Sequence, residues 1–252
     1  METEGTYCVM KVLDVYGTKI SIISFDQLVS TILNYTLKPT YICFTDVLVL
    51  KESFDNAVLR NALNSSYINI PDGKAISLYC KFRGIKNINT ISGYWLLLEL
   101  LKSNKKHFFY GTNAVKHLKI KKFISENFQD ANILGFKEPP HIDFNNIIDN
   151  DRIKNDFIEI SQFGPDIIWV GVGGVKQDVL MNEYHKYLDH GIMIGIGAVF
   201  DYISGDQRKS PEWIKKIYLR WLYRLIFNPN LKRTKRVISA IFIFIKKLVR
   251  YR

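Results

Sequence analysis

The sequence predicts an α/β fold: a mostly parallel sheet with helices on both faces, followed by a basic helical C-terminal appendage. Three observations carry that expectation. Short β-prone runs alternate with segments of helical spacing along most of the chain, which is the order that parallel sheets require. The run at 166–171, Asp-Ile-Ile-Trp-Val-Gly, is apolar enough for a strand buried on both faces. Beyond Gly205 the alternation stops and basic and aromatic residues take over.

Taken in order, residues 1–24 read as strand-like runs about a turn at Tyr16-Gly17. Helical spacing follows at 25–37, stopped by Pro39, and 41–44 is a strand candidate. After the polar break Thr45-Asp46 a helix-like segment reaches residue 64. A strand at 67–70 leads to a helix over 74–82, and another helix begins after Gly93. Strands are expected at 107–110, 131–135, 166–171 and 191–195. The helices between them reach 128, run over 145–162, and run over 176–188. The appendage holds a helix at 211–227 and an apolar stretch, 237–245, set between basic clusters. The division expected is a catalytic core at 1–205 and an appendage at 206–252.

At 252 residues the chain is long enough for one large domain, and 47% hydrophobic with 23% charged residues is ordinary for a globular protein. Cys8, Cys43 and Cys80 form no C-x-x-C pair, and the latter two lie in apolar stretches, so buried thiols in a reducing compartment are expected. No signal pattern opens the chain and no apolar run is long enough to span a bilayer, so a cytoplasmic protein is expected. The net charge of +11 is unevenly placed: residues 207–252 hold fourteen Lys or Arg against Glu212, while residues 1–206 are slightly acidic. That asymmetry calls for an anionic partner at the tail. Nine apolar residues flanked by Lys and Arg suit a membrane interface; the competing reading is a helix packed on the core with a solvated basic face.

Candidate chemistry collects where strands end. Gly171-Val-Gly173-Gly-Val-Lys-Gln177-Asp178 lies between a strand and a helix, where glycines let backbone N–H groups approach a phosphate. Gly195-Ile-Gly197-Ala-Val-Phe-Asp201 is a second such turn, and Gly111-Thr112-Asn113 ends another strand. Together they suggest one diphosphate-bearing ligand across the carboxyl end of the sheet. None is a G-x-G-x-x-G or Walker fingerprint. Asp72, in Ile-Pro-Asp-Gly-Lys, stands at the mouth of a strand and reads either as a helix cap or as a catalytic carboxylate. Asp149-Asn150-Asp151 has a D-x-D pattern, but its polar, turn-like surroundings favour helix capping over a metal. The histidines show no zinc spacing, and no G-x-S-x-G is present, so neither zinc nor a serine nucleophile is expected.

The order Pro-Asp72-Gly, Gly171-Val-Gly-Gly-Val-Lys-Gln-Asp178, Gly195-Ile-Gly-Ala-Val-Phe-Asp-Tyr-Ile-Ser-Gly205, Lys209-Ser-Pro-Glu-Trp and Trp221-Leu-Tyr-Arg224-Leu-Ile-Phe-Asn-Pro resembles the WecG/TagA/CpsF glycosyltransferases, glycosyltransferase family 26. The resemblance covers about 40–235. It implies a Rossmann-like core that transfers a sugar from a UDP-sugar to a polyprenyl-diphosphate-linked acceptor with inversion. It also implies that no metal or other cofactor is needed, and that the basic appendage docks on the inner face of a bacterial plasma membrane. On that resemblance Asp72 is the general base, with Thr45 and Asp46 beside it in the catalytic set. Gly111, Gly171, Gly173, Gln177, Asp178, Gly197, Asp201, Lys209 and Arg224 bind substrate; Gln177 and Asp201 lie near the ribose and uracil, and Arg224 suits the diphosphate.

The sequence also departs from the family pattern. Asp46 stands where Asn is usual, opposite the donor sugar, and Asp178 where Glu is usual. Trp95 replaces an acid, and Tyr218-Leu-Arg220-Trp replaces Gly-Leu-Glu-Trp. Two other classes compete with this one. A catalytically inactive UDP-sugar-binding or scaffold protein is motivated by Asp46. A nucleic-acid binder would explain the tail's charge but not the slightly acidic core, so no nucleic-acid partner is expected. Whether the chain forms a homo-oligomer is left open.

Overall fold

The computed structural model describes residues 11–82, 84–85, 90–206, 239–240 and 242–243. In order, the elements are β1 (Lys11–Val15), β2 (Thr18–Ile22), α1 (Phe25–Leu33), β3 (Thr40–Thr45), α2 (Val47–Asp55), α3 (Ala57–Ser65), β4 (Ile68–Pro71), α4 (Lys74–Phe82) and α5 (Gly93–Leu100). There follow β5 (Lys106–Gly111), α6 (Ala114–Asn127), β6 (Asn132–Lys137), α7 (Asp151–Gln162), β7 (Ile167–Gly171), α8 (Gly174–Tyr184), β8 (Ile192–Gly195) and α9 (Val199–Ile203).

Six strands pair in the order β4-β3-β8-β7-β5-β6, every pair parallel. The chain is therefore α/β and Rossmann-like, as the sequence predicts. The strands alternate their side chains between two buried layers. In β7, Ile167 and Trp169 enter the layer formed with α1, α5, α6 and α9, while Ile168 and Val170 enter the layer formed with α3, α7 and α8. The expected run of buried residues at 166–171 is this strand.

β1 and β2 form an antiparallel hairpin beside β4. Asn69 fastens it: its N–H donates to Ser21 Oγ at 3.0 Å and its Nδ2 to the Lys19 carbonyl at 2.9 Å. The hairpin so covers the outer edge of a sheet strand, which would otherwise offer unpaired backbone groups.

The structure differs from the sequence expectation at several helix ends. The helix-like segment up to residue 64 is two helices, because Asn56 leaves helical geometry and its Oδ1 accepts from Leu59 N–H at 3.0 Å. The helix expected over 145–162 starts at Asp151, capped by Asn150, whose Oδ1 accepts from the N–H groups of Arg152 and Ile153. The capping reading of Asp149-Asn150-Asp151 therefore holds. α8 begins at Gly174, ahead of the expected 176, and α9 is an additional short helix. Cys43 and Cys80 are buried free thiols; Cys8 lies outside the described residues. The appendage expected from 206 onward also lies outside them, apart from Asp206 and residues 239–240 and 242–243.

At the amino end of the sheet His107 is fully buried, and its Nδ1 accepts from Trp169 Nε1 at 3.2 Å. Burial lowers its pKa to about 4, with the Leu100 carbonyl and the charge of Asp166 pulling the other way. The unfolded imidazole takes up its proton near pH 6.5, so unfolding binds a proton between those two values. The contribution is full above pH 6.5, declines as pH falls towards 4, and is flat below. Denaturant titrations at pH 7.5 and pH 4.5 are expected to show a His107-dependent loss of about 3 kcal/mol. The variant His107→Gln, which keeps an acceptor for Trp169, is expected to lose that component.

Candidate active site

In a parallel sheet with alternating helices every strand opens at the same edge, and ligands collect where neighbouring crossovers diverge. β5 and β7 are adjacent here, yet the chain leaves β5 through α6 towards β6 and leaves β7 through α8 towards β8. α6 and α8 pack on opposite faces. The two strands run so close that a Cβ on Gly111 would lie 2.6 Å from the Gly171 carbonyl carbon. Gly111 and Gly171 are register partners, and Gly111 has φ +135°. A Cβ on Gly171 would in turn meet the Phe200 ring at 2.4 Å. These two glycines are thus required by packing, whatever they do for a ligand.

Past them the loops part and leave an open cavity of about 400 Å³. Its wall includes Thr112, Asn113, Glu138, His141, Val172 and Lys176. Gly171, expected from the sequence to bind substrate, lines it too, whereas these others were not singled out as site residues. Lys176 had a legible signal, since it lies inside the glycine-rich turn. Its Nζ donates to the Ile142 carbonyl at 2.7 Å. Glu138 had none: it comes from the end of β6, and its Oε2 accepts from Ala114 N–H at 3.0 Å. With Asn113 Oδ1 accepting from Lys116 N–H, the amino end of α6 is satisfied by side chains. α8 differs. Its N-cap, Gly173, makes no side-chain cap, and Gly173 and Gly174 have φ +80° and +59° with no atom within 4 Å of a would-be Cβ. The turn is therefore glycine for its backbone conformation, and no side chain caps the helix end that follows it.

Gln177 joins this turn to the next. Its Oε1 accepts from Gly197 N–H at 2.9 Å, and a Cβ on Gly195 would strike its Nε2 at 2.5 Å. Gln177 is 6% exposed, so its first task is to hold the β8 turn against α8. Asp201, on α9 beyond Gly197, is paired with Lys116 of α6, and Lys116 also lies 3.7 Å from Asp206.

The candidate catalytic set stands on the far side of the switch. Thr45 ends β3 opposite Pro71 of β4, and Asp72 N–H donates to the Thr45 carbonyl at 2.8 Å. That bond carries the parallel ladder one residue past β4 and fixes Asp72 at the mouth, exposed. α4 begins at Lys74, so its N-cap position is Gly73, and Asp72 lies one residue outside the helix. The Thr45 hydroxyl is fully buried and donates to Asn69 Oδ1 at 2.6 Å. Asp46 is the N-cap of α2, its Oδ1 accepting from Leu48 and Val49 N–H at 2.8 and 2.9 Å. An Asn at this position has the same acceptor. Lys209 and Arg224 lie outside the described residues.

Asp178 is 1% exposed, and its Oδ1 has no hydrogen-bond partner. Burial raises its carboxyl pKa to about 7; the Cys43 thiol, donating to it, opposes this, and the charge of Asp46 adds to it. The same burial, with the charge of Asp178, pushes the Cys43 thiol well up. A carboxyl raised in the folded state makes unfolding release a proton between about pH 4 and 7, so its contribution to stability is lost as pH rises through that window. Asp178→Asn keeps an acceptor for Cys43 and removes the titration. Denaturation midpoints at pH 5 and pH 8 are expected to show this variant gaining relative stability at the higher pH.

Among the described residues no three His, Cys, Asp or Glu side chains are grouped to hold a metal ion, and no helix is long and apolar enough to cross a membrane. Residues 13–252 match the model of a family described as the glycosyl transferase WecG/TagA/CpsF family. Two similar relatives are N-acetylglucosaminyldiphosphoundecaprenol N-acetyl-beta-D-mannosaminyltransferases. The protein of Bacillus subtilis (strain 168) is 27% identical over 183 residues, 71% of this chain and 67% of its own length. That of Bacillus spizizenii (strain ATCC 23059 / NRRL B-14472 / W23) is 27% identical over 194 residues, 75% of this chain and 70% of its own.

Proposed function

Because the chain belongs to the WecG/TagA/CpsF glycosyltransferase family, we propose that it transfers a sugar, of the N-acetylmannosamine type, glucose or galactose, from a UDP-sugar to a polyprenyl-diphosphate-linked saccharide. Its product serves cell-surface polysaccharide synthesis. The observation that carries this reading is the convergence of Asp72, Asp46, the α8 turn and the polar cavity on one carboxyl edge. The relatives' names supply the acceptor chemistry, an N-acetylglucosaminyl diphosphate on undecaprenol.

The nucleotide takes the cavity between the β5, β6 and β7 loops, whose volume suits a small polar ligand. Its diphosphate goes to α8 and not to α6, because the Glu138 carboxylate already holds the α6 N-terminus and would repel a second anion. The amino end of α8 carries no side-chain cap, and Lys176 of its first turn lines the cavity. They hold the charge that grows on the leaving UDP as its bond to the anomeric carbon breaks. Asp72 accepts the proton of the acceptor hydroxyl while that oxygen attacks the anomeric carbon from the opposite face, giving inversion. The site's own residues supply the acid–base and electrostatic work, so the reaction is metal-independent in this reading. Asp46 bears on the donor sugar from the β3 side, with the buried Asp178 acting on Asp46 through charge, and Lys209 and Arg224 complete the diphosphate site from the appendage.

The test is UDP release on anionic vesicles carrying polyprenyl-diphosphate-N-acetylglucosamine, across a panel of UDP-sugars. One donor is expected to give acceptor-dependent release. Asp72→Asn is expected to lower kcat by about 10²–10⁴-fold while UDP affinity stays within about threefold. Unchanged turnover in that variant removes the general-base assignment, and UDP binding without turnover of any donor favours a binding protein.

A further inference from the structure

The proposed chemistry places a geometric demand on the core. A polyprenyl chain keeps its diphosphate at the headgroup level of a bilayer, so the carboxyl edge of the sheet has to meet the lipid surface. That edge carries an apolar and cationic surface which the sugar transfer itself does not use. α6 leaves the edge at Ala114, and its Val115 and Leu118 are 64% and 69% exposed. Residues three and four apart share a helix face, so Val115, Leu118 and Lys122 form one stripe. The helix carries Lys116, Lys119, Lys121 and Lys122 against Glu126, with Lys116 and Lys119 ion-paired to Asp201 and Asp206.

α5 starts at the same edge: a Cβ on Gly93 would lie 3.2 Å from Ile196, just past β8. Trp95, two residues on, is half exposed. α9 touches both helices, meeting Gly93 through Val199 and packing on α6. The chain then reaches Asp206, which is ion-paired with Lys119, one residue along α6 from Leu118. Asp206, after which the sequence holds fourteen bases against one acid, thus lies beside the stripe.

We propose that the Val115–Leu118–Lys122 stripe of α6, with Trp95, is a contact of the core itself with an anionic phospholipid surface, orienting the carboxyl edge towards the bilayer. The orientation argument rests on the proposed sugar transfer; the surface stands on its own exposure and charge. Lipid is the occupant that answers all three features together. The apolar side chains enter the acyl boundary, Lys121 and Lys122 meet anionic headgroups, and a tryptophan sits at the interface between them.

The experiment uses the full chain with Val115→Glu and Leu118→Glu together, both positions being exposed and glutamate a good helix former. Co-sedimentation with phosphatidylglycerol/phosphatidylcholine vesicles is expected to weaken about tenfold or more, as loss of apolar burial and reversal of charge both act. Turnover of a vesicle-borne acceptor falls with it. Turnover of a water-soluble short-prenyl acceptor, and UDP affinity, stay as in the unaltered chain. Unchanged vesicle partition overturns the proposal and leaves docking to the tail alone. A changed sedimentation coefficient without loss of vesicle binding also overturns it and assigns the stripe to a second copy of the chain. If the unaltered chain turns over no donor, the sugar-transfer reading fails, and the partition measurement still decides the surface.

Discussion

The arrangement depends on parallel pairing. Because all six strands of the main sheet run one way, each must be reached by a crossover on one face, and each releases its chain at one edge. A tight point of that constraint is the contact of Gly111 with Gly171, where no side chain fits between β5 and β7. Immediately beyond it the two crossovers separate to opposite faces, and the cavity is the space they vacate. This close approach in the sheet and the opening proposed to receive a ligand are therefore two consequences of one pairing.

Around that opening most polar groups already have partners within the protein. Thr45 is committed to Asn69, Asp46 to α2, Gln177 to the β8 turn, and Glu138 to α6. Such commitments fix the shape of the mouth before any ligand arrives, which is how a site becomes preorganised. Asp178 is the exception, a buried carboxyl with one oxygen unmatched and the negative Asp46 nearby. His107 carries the opposite tension at the far end of the sheet, a buried base kept neutral. Their effects on stability run in opposite directions through the weakly acidic range, since burial disfavours the charged form of an acid and of a base alike. The acid lies beside the proposed donor site and the base is remote from it.

Much of this was legible in the sequence. Local patterns gave the alternation of elements, the buried β7 run, the buried thiols and the glycine turns, because each depends on side-chain spacing or backbone freedom within a few residues. The positions of Asp72 and the α8 turn at strand mouths followed from the same reading. Helix ends were less legible: Asn56 and Asn150 each cut a segment whose hydrophobic spacing runs on, since a single capping side chain outweighs a weak periodic pattern.

What the sequence by itself determined is the fold class, the family and the edge on which the proposed chemistry stands. What only the tertiary structure decided is which groups remain available there. Glu138 sits on the α6 N-terminus from another loop, Lys116 holds Asp201 and approaches Asp206, and Thr45 turns inward to Asn69. These pairings join residues far apart in the chain, and their partners are set by strand order and crossover direction. No local pattern records them, because hydrogen bonds and charges act through space and the fold alone sets those distances.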